Sequence, residues 1–171
     1  MTIKTLSCQV IKPTHSYKSK QAVTYLGGIS AENTGAQAIC LHLTIIPPGQ
    51  HAKAHLHHNH ETAIYVLHGQ AHMWYGDQLS EHLTVSAGEY LYIPAGMPHL
   101  PYNPSETEAV TALVARTDPN EQESVVLLPE LEAFATNPPP TVTATTPPQT
   151  TTPAPTTTAR TRVTWGQSYT L

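Results

Sequence analysis

Apolar residues in this chain gather in short runs, and turn-forming residues break them every 8 to 15 positions. AICLHLTII, over 38–46, is rich in branched side chains and stops at Pro47-Pro48-Gly49. That composition and that stop predict a strand. TAIYVLHG (62–69) and QAHMWYG (70–76) follow one another across Gly69, which predicts a hairpin with a tight turn there. HLTVSAG (82–88), EYLYIPAG (89–96) and AVTALVART (109–117) predict three more strands. In TAIYVL both parities are apolar, Thr62, Ile64 and Val66 on one and Ala63, Tyr65 and Leu67 on the other. Side chains alternate along a strand, so this pattern predicts cover on both faces, as in a two-layer sandwich. The only helical expectation is a short one over LLPELEAFA, 127–135, while the polar stretch GGISAENTGA (27–36) reads as a loop over one mouth of the fold. No repeat of 20 to 50 residues is visible. An all-β sandwich or barrel is the fold class expected from this punctuation.

Composition divides the chain. From Asn137 onward, 35 residues hold seven prolines and thirteen threonines, with Arg160 and Arg162 the only charges. Such a segment buries too little apolar surface to offset its ordering entropy, and proline favours extended backbone. A body over 1–136 and a disordered Thr/Pro-rich tail over 137–171 are therefore expected. The body has six basic against twelve acidic residues, a net charge near −6 with histidine neutral. Nucleic acid is an unsuitable partner for it, because phosphate binding needs a basic surface. No run of 18 apolar residues suggests a membrane span. The first twenty residues lack the apolar core and cleavage site of a secretory signal, so a cytoplasmic protein is expected. Cys8 and Cys40 lack metal-site spacing and read as reduced thiols.

HAKAHLHHNH, residues 51–60, carries five of the eleven histidines. On an extended segment His55 and His57 project to the same face, which is half of a transition-metal site. His99 follows a rigid turn, PAGMPH over 94–99, that can bring a third imidazole across the barrel. His51 and His58 read as solvent-facing, His58 having the opposite parity to His57. His42, His68, His72 and His82 lie in or beside strands and read as hydrogen-bonded residues of surface or core, with His42 the candidate for supporting the site.

These residues carry a resemblance to the cupin family. Gly49, His55, His57, Glu61 and Gly69 follow its first motif, and Gly88, Pro94, Gly96, His99 and Asn103 match every position of its second. Eighteen residues separate the motifs. The resemblance covers about residues 38–117 and implies a small jelly roll of antiparallel strands around one divalent metal ion. In one respect the chain departs from the pattern: seven residues, not six, separate Glu61 from Gly69. Thr62 therefore occupies the usual glutamate register, and Glu61 would face the other way. Three completions follow: Glu61 binds through a bulge at the strand start, His60 swings in, or water completes three histidines. A carboxylate favours Fe(II), Mn(II) or Ni(II), and an all-histidine shell makes Zn(II) or Cu(II) the better fit.

Tyr65 and Tyr92 are the candidate proton donors among the aromatic residues near the motifs. The resemblance is to small single-domain cupins labelled mannose-6-phosphate-isomerase-like and to polyketide-cyclase-type cupins. A phosphosugar needs a cationic clamp, whereas the motif region offers only Lys53, and Arg116 is the only arginine of the body. An aromatic or polyketide-like substrate suits apolar, aromatic walls better. Two classes of function are expected: a metal-dependent isomerase, cyclase or dioxygenase acting on a small organic molecule, or a non-catalytic binding or sensory cupin. A homodimer is expected, since pairing removes exposed strand edges.

Overall fold

A computed structural model describes residues 7–13, 15–121 and 124–133. The tail expected over 137–171 lies outside these. The described residues form eleven strands: β1 (Ser16–Lys18), β2 (Thr24–Ile29), β3 (Cys40–Ile46), β4 (His55–His57), β5 (Thr62–His68), β6 (Gln70–Tyr75), β7 (Glu81–Ser86), β8 (Tyr90–Ile93), β9 (His99–Tyr102), β10 (Val110–Arg116) and β11 (Val125–Leu127). They build a six-stranded sheet in the order β1-β2-β3-β10-β5-β8 and a five-stranded sheet in the order β11-β4-β9-β6-β7. Every pairing is antiparallel. The architecture is the jelly roll that the cupin resemblance implies, within the sandwich-or-barrel class that the turn spacing predicts.

Alternation sorts each strand. In β10 Val110, Ala112, Val114 and Arg116 are buried, while Thr111, Leu113 and Ala115 between them are half-buried. Val23, Tyr25, Ile46, Val66, Val85 and Val110 form the core between the sheets. A second cluster, Ala54, Trp74, Leu79 and Leu100, sits on the outer face of the five-stranded sheet under Leu128 and Leu131. The apolar run at 125–128 thus packs back onto its own sheet, with β11 paired to β4.

Three expectations change. The runs at 62–69 and 70–76 are not a hairpin, because β5 and β6 belong to different sheets. Gly69, at φ +78°, turns the corner between them. A left-handed glycine serves either purpose, so the turn signal alone does not choose. The loop at 27–36 is instead the end of β2 followed by a one-turn helix, α1 (Ala31–Thr34). Its capping box joins Ser30 to Asn33, and Gly35 caps its end at φ 72°. Within 127–135, the described residues form a 3-10 turn over Pro129–Leu131. The outer face of the six-stranded sheet is apolar but open: Leu67 is 49% exposed, Tyr92 59% and Tyr90 82%.

A β-carbon at residue 69 would lie 2.9 Å from the Ala109 carbonyl oxygen, besides the left-handed backbone. Gly69→Ala should therefore cost about 1–3 kcal/mol, read as a lower urea midpoint with unchanged slope; an unchanged midpoint would contradict the corner geometry.

Candidate metal centre

Three imidazoles meet inside the barrel because three local rules agree. Alternation along β4 turns His55 and His57 inward, 2% and 5% exposed, with Leu56 outward between them. His99 is the register partner of His55 on the adjacent strand β9. The Pro94–Gly96 turn fixes where β9 starts, Gly96 adopting φ +78°. The Gly96 N–H donates to the His57 carbonyl at 2.7 Å, tying the turn of one motif to the histidine strand of the other.

Ring centroids lie 4.2 Å apart for His55 and His99, and 5.1 Å apart for His57 with each of them. One nitrogen from each ring falls within 4.8 Å of the others. His55 Nδ1–H donates to the Lys53 carbonyl at 2.6 Å, and His99 Nδ1–H donates to Met97 at 2.8 Å. Each bond fixes the tautomer and leaves Nε2 with its lone pair, the usual support of a metal-bound histidine. His57 Nδ1 is buried and has no hydrogen-bond partner among the described residues. Burial, with repulsion from neighbouring imidazoles, keeps all three rings neutral: His99 is lowered to about 4, and His55 and His57 are held well below their ordinary range. Neutral, oriented, buried imidazoles that share one focus fit a transition-metal ion, which needs deprotonated ligands.

His60 stands next to this group without belonging to it. Its ring is 4.4 Å from that of His57. Its Nδ1 is 3.1 Å from the Ser124 hydroxyl and 3.7 Å from the Asp118 carboxylate. The proximity of His60 contributes to lowering both His57 and His99.

Glu61 is elsewhere. It is exposed on the outer side, where its carboxylate accepts a hydrogen bond from the Tyr92 hydroxyl at 2.8 Å. No bulge re-aims it, because β5 begins at Thr62 and runs in regular register with β8 from Thr62↔Ile93 to Tyr65↔Tyr90. Thr62 takes the inward place: it is 3% exposed, lines the cavity, and its hydroxyl has no hydrogen-bond partner among the described residues. Tyr65 and Tyr92 share the outward parity of Glu61, so neither lines the cavity. Tyr65 packs on Tyr90 with ring centroids 4.7 Å apart.

The space between the sheets, counted out to its open mouth and including solvent there, is about 770 Å³. Its walls are mostly apolar, including Ile46, Ile64, Val66, Leu91, Ile93 and Val114. Among the described residues, no carboxylate lines it. Arg116 does line it, buried at the end of β10, with one guanidinium nitrogen 3.1 Å from both the Cys40 sulfur and the Asn120 carbonyl. The inward parity of Val110, Ala112 and Val114 carries Arg116 into the barrel, a signal that was present in the sequence. His42 lies apart from the centre. Its ring lies 3.9 Å from that of Tyr25 at a tilt of 40°, and burial with the nearby Arg116 charge lowers it to about 3. His51 and His58 are exposed.

Four buried histidines titrate lower in the native state than the ordinary 6.5 of an unfolded chain. Between pH 6.5 and about 4 the unfolded state therefore binds more protons, and stability falls as pH falls. Metal-free protein should unfold at lower urea at pH 5 than at pH 7.5; equal midpoints would contradict the burial of neutral imidazoles.

No described helix is long and apolar enough to cross a membrane. No curated protein sequence matches the chain. Among solved structures it is similar to the polyketide cyclase RemF from Streptomyces resistomycificus, at 23% identity and TM-score 0.59, over 77% of this chain and 95% of that one. It is also similar to the oxalate decarboxylase of Bacillus subtilis, a protein with Mn(II) centres, at 22% identity and TM-score 0.53, over 69% of this chain and 30% of that one. A putative sugar phosphate isomerase from Acidithiobacillus ferrooxidans matches at 26% identity and TM-score 0.45, over 54% of this chain. The chain spans only 58% of that isomerase. The family model for the cupin domain matches residues 42–115, which include both histidine motifs. With the two motifs and the jelly roll, that match identifies residues 42–115 as a domain of the cupin superfamily.

Proposed function

We propose that this chain is a metal-dependent enzyme for a small, largely apolar organic substrate, and that it catalyses a Lewis-acid isomerisation or cyclisation. One observation carries the reading: three neutral imidazoles converge on the wall of an apolar cavity that opens to solvent. His55, His57 and His99 would hold the ion, and an all-histidine set without Glu61 favours Zn(II) over Fe(II), Mn(II) or Ni(II). Bound there, the ion supplies polarisation of a substrate carbonyl. The chain's own residues do the rest. The Thr62 hydroxyl, buried without a described partner, donates to a substrate oxygen. The Arg116 charge favours electron density developing nearby. The aliphatic walls exclude water from the reacting carbons. The likeness to a polyketide cyclase, along nearly the whole of that chain, supports ring closure on an aromatic or polyketide-like substrate.

A second reading rests on the absence of a carboxylate from the cavity lining and on Tyr65 and Tyr92 facing outward. A cavity with few proton-transfer groups suits a binding or sensory cupin. Metal analysis of purified full-length protein separates the two. The enzyme reading expects one tightly held equivalent that His99→Ala removes while the fold survives. Substoichiometric metal under every loading condition would overturn it, and a binding module would keep its ligand after chelation.

The proposal includes a homodimer in the cytoplasm, formed face to face rather than along strand edges. Six strands at about 4.8 Å spacing and about 20 Å in length make an open face of roughly 500 Å², approaching the ~800 Å² per partner of a standard interface. Leu41, Leu43, Leu113, Tyr65, Leu67 and Tyr90 lie on it. An apolar, self-complementary face suits a second copy. Light scattering should give twice the chain mass, and Leu67→Glu should halve it; a monomeric wild type would contradict the pairing.

A further inference from the structure

A second group of histidines lies apart from the three that converge inside the barrel. His72 on β6, His82 on β7 and Tyr102 on β9 share the outward face of the five-stranded sheet with Trp74 and Leu100. All three are partly exposed. The Tyr102 oxygen lies 3.1 Å from His82 Nε2 and 3.3 Å from His72 Nδ1. The imidazole centroids are 5.3 Å apart, and the Trp74 ring lies 4.4 Å from His82.

The hydrogen bonds fix who holds each proton. His72 Nε2 is 3.2 Å from Gln70 Oε1, which can only accept, so the proton of His72 is on Nε2. Its Nδ1 then carries a lone pair and accepts from the Tyr102 hydroxyl. His82 Nε2–H in turn donates to the Tyr102 oxygen. Burial and the neighbouring His82 hold His72 low, and burial holds His82 low, so both rings are neutral at pH 7.

The geometry points to a surface site for a late divalent transition metal such as Zn(II) or Cu(II), bound by His72 Nδ1, His82 Nε2 and the Tyr102 oxygen. Ligands about 2.0–2.1 Å from a tetrahedral ion sit roughly 3.3 Å from one another, which is the spacing the Tyr102 oxygen already has to each imidazole nitrogen. An ion inserted among them replaces the two hydrogen bonds that Tyr102 makes. Charge and protons balance simply. Tyr102 loses its proton to solvent, the His82 proton moves from Nε2 to Nδ1, and His72 keeps its tautomer with Gln70 as support. One proton is released per ion. Burial raises Tyr102 and opposes its ionisation, so this site binds more weakly than the buried centre and fills only when metal is supplied.

Copper(II) chloride offered in excess to the full chain, followed by dialysis, tests the site. Wild type should hold one more equivalent than the buried centre accounts for. That equivalent should persist in His99→Ala, disappear in the double variant His72→Ala/His82→Ala, and show a phenolate-to-copper charge-transfer band. Tyr102→Phe should lose the band and at least tenfold in affinity. The double variant keeps the test decisive if His99→Ala fails to fold, because the wild-type minus double-variant difference is then the readout. The proposal is overturned if the double variant binds as much copper as wild type, or if the extra equivalent shows no band that Tyr102→Phe removes.

Discussion

The backbone hydrogen bond from Gly96 to the His57 carbonyl, 2.7 Å long, joins two parts of the chain that are almost forty residues apart. It sets the turn after β8 against β4. Once that turn is placed, β9 has little freedom in where it starts, and His99 arrives opposite His55. Gly96 can make the turn because its positive φ costs it nothing. The second constraint is the two-residue alternation of β-strands, which converts sequence parity into inside and outside. Both act on backbone, so the imidazoles are positioned before any ion is bound.

Alternation also explains the centre's composition. Glu61 and Thr62 are neighbours in the chain, and that one-residue step exchanges a buried carboxylate for a surface one. Glu61 spends its charge outside, where water solvates it and Tyr92 donates to it. The interior gains a hydroxyl in its place. A carboxylate inside would have paired with the ion or with Arg116 and reduced the net positive charge of the cavity. Without one, the interior presents neutral imidazoles, a hydroxyl and a guanidinium among aliphatic walls. This arrangement suits a substrate that brings its own electron-rich oxygen.

Much of this was legible beforehand. The long apolar runs become β3, β5, β6, β7, β8 and β10 with ends shifted by at most three residues, because each must alternate to fill a two-sided core. The pair His55 and His57 and the turn before His99 were readable from spacing and glycine alone. What escaped the sequence had short or ambiguous signals. β1, β4 and β11 are three residues long, too short for a period to register. Gly69 marks a turn without saying whether the next strand pairs with the last. Tyr65 and Tyr92 lie near the motifs in sequence, but strand parity sets them outward with Glu61. Arg116 was on the inward parity of its strand, yet a charged residue at a strand end reads naturally as solvated.

A crystal grown with zinc and measured above and below the zinc absorption edge would locate the ion directly. A strong anomalous peak bounded by His55, His57 and His99, with Thr62 facing the cavity and Glu61 still bonded to Tyr92, is the predicted result. A peak coordinated by Glu61, reached through a shifted start of β5, would contradict the account of the centre.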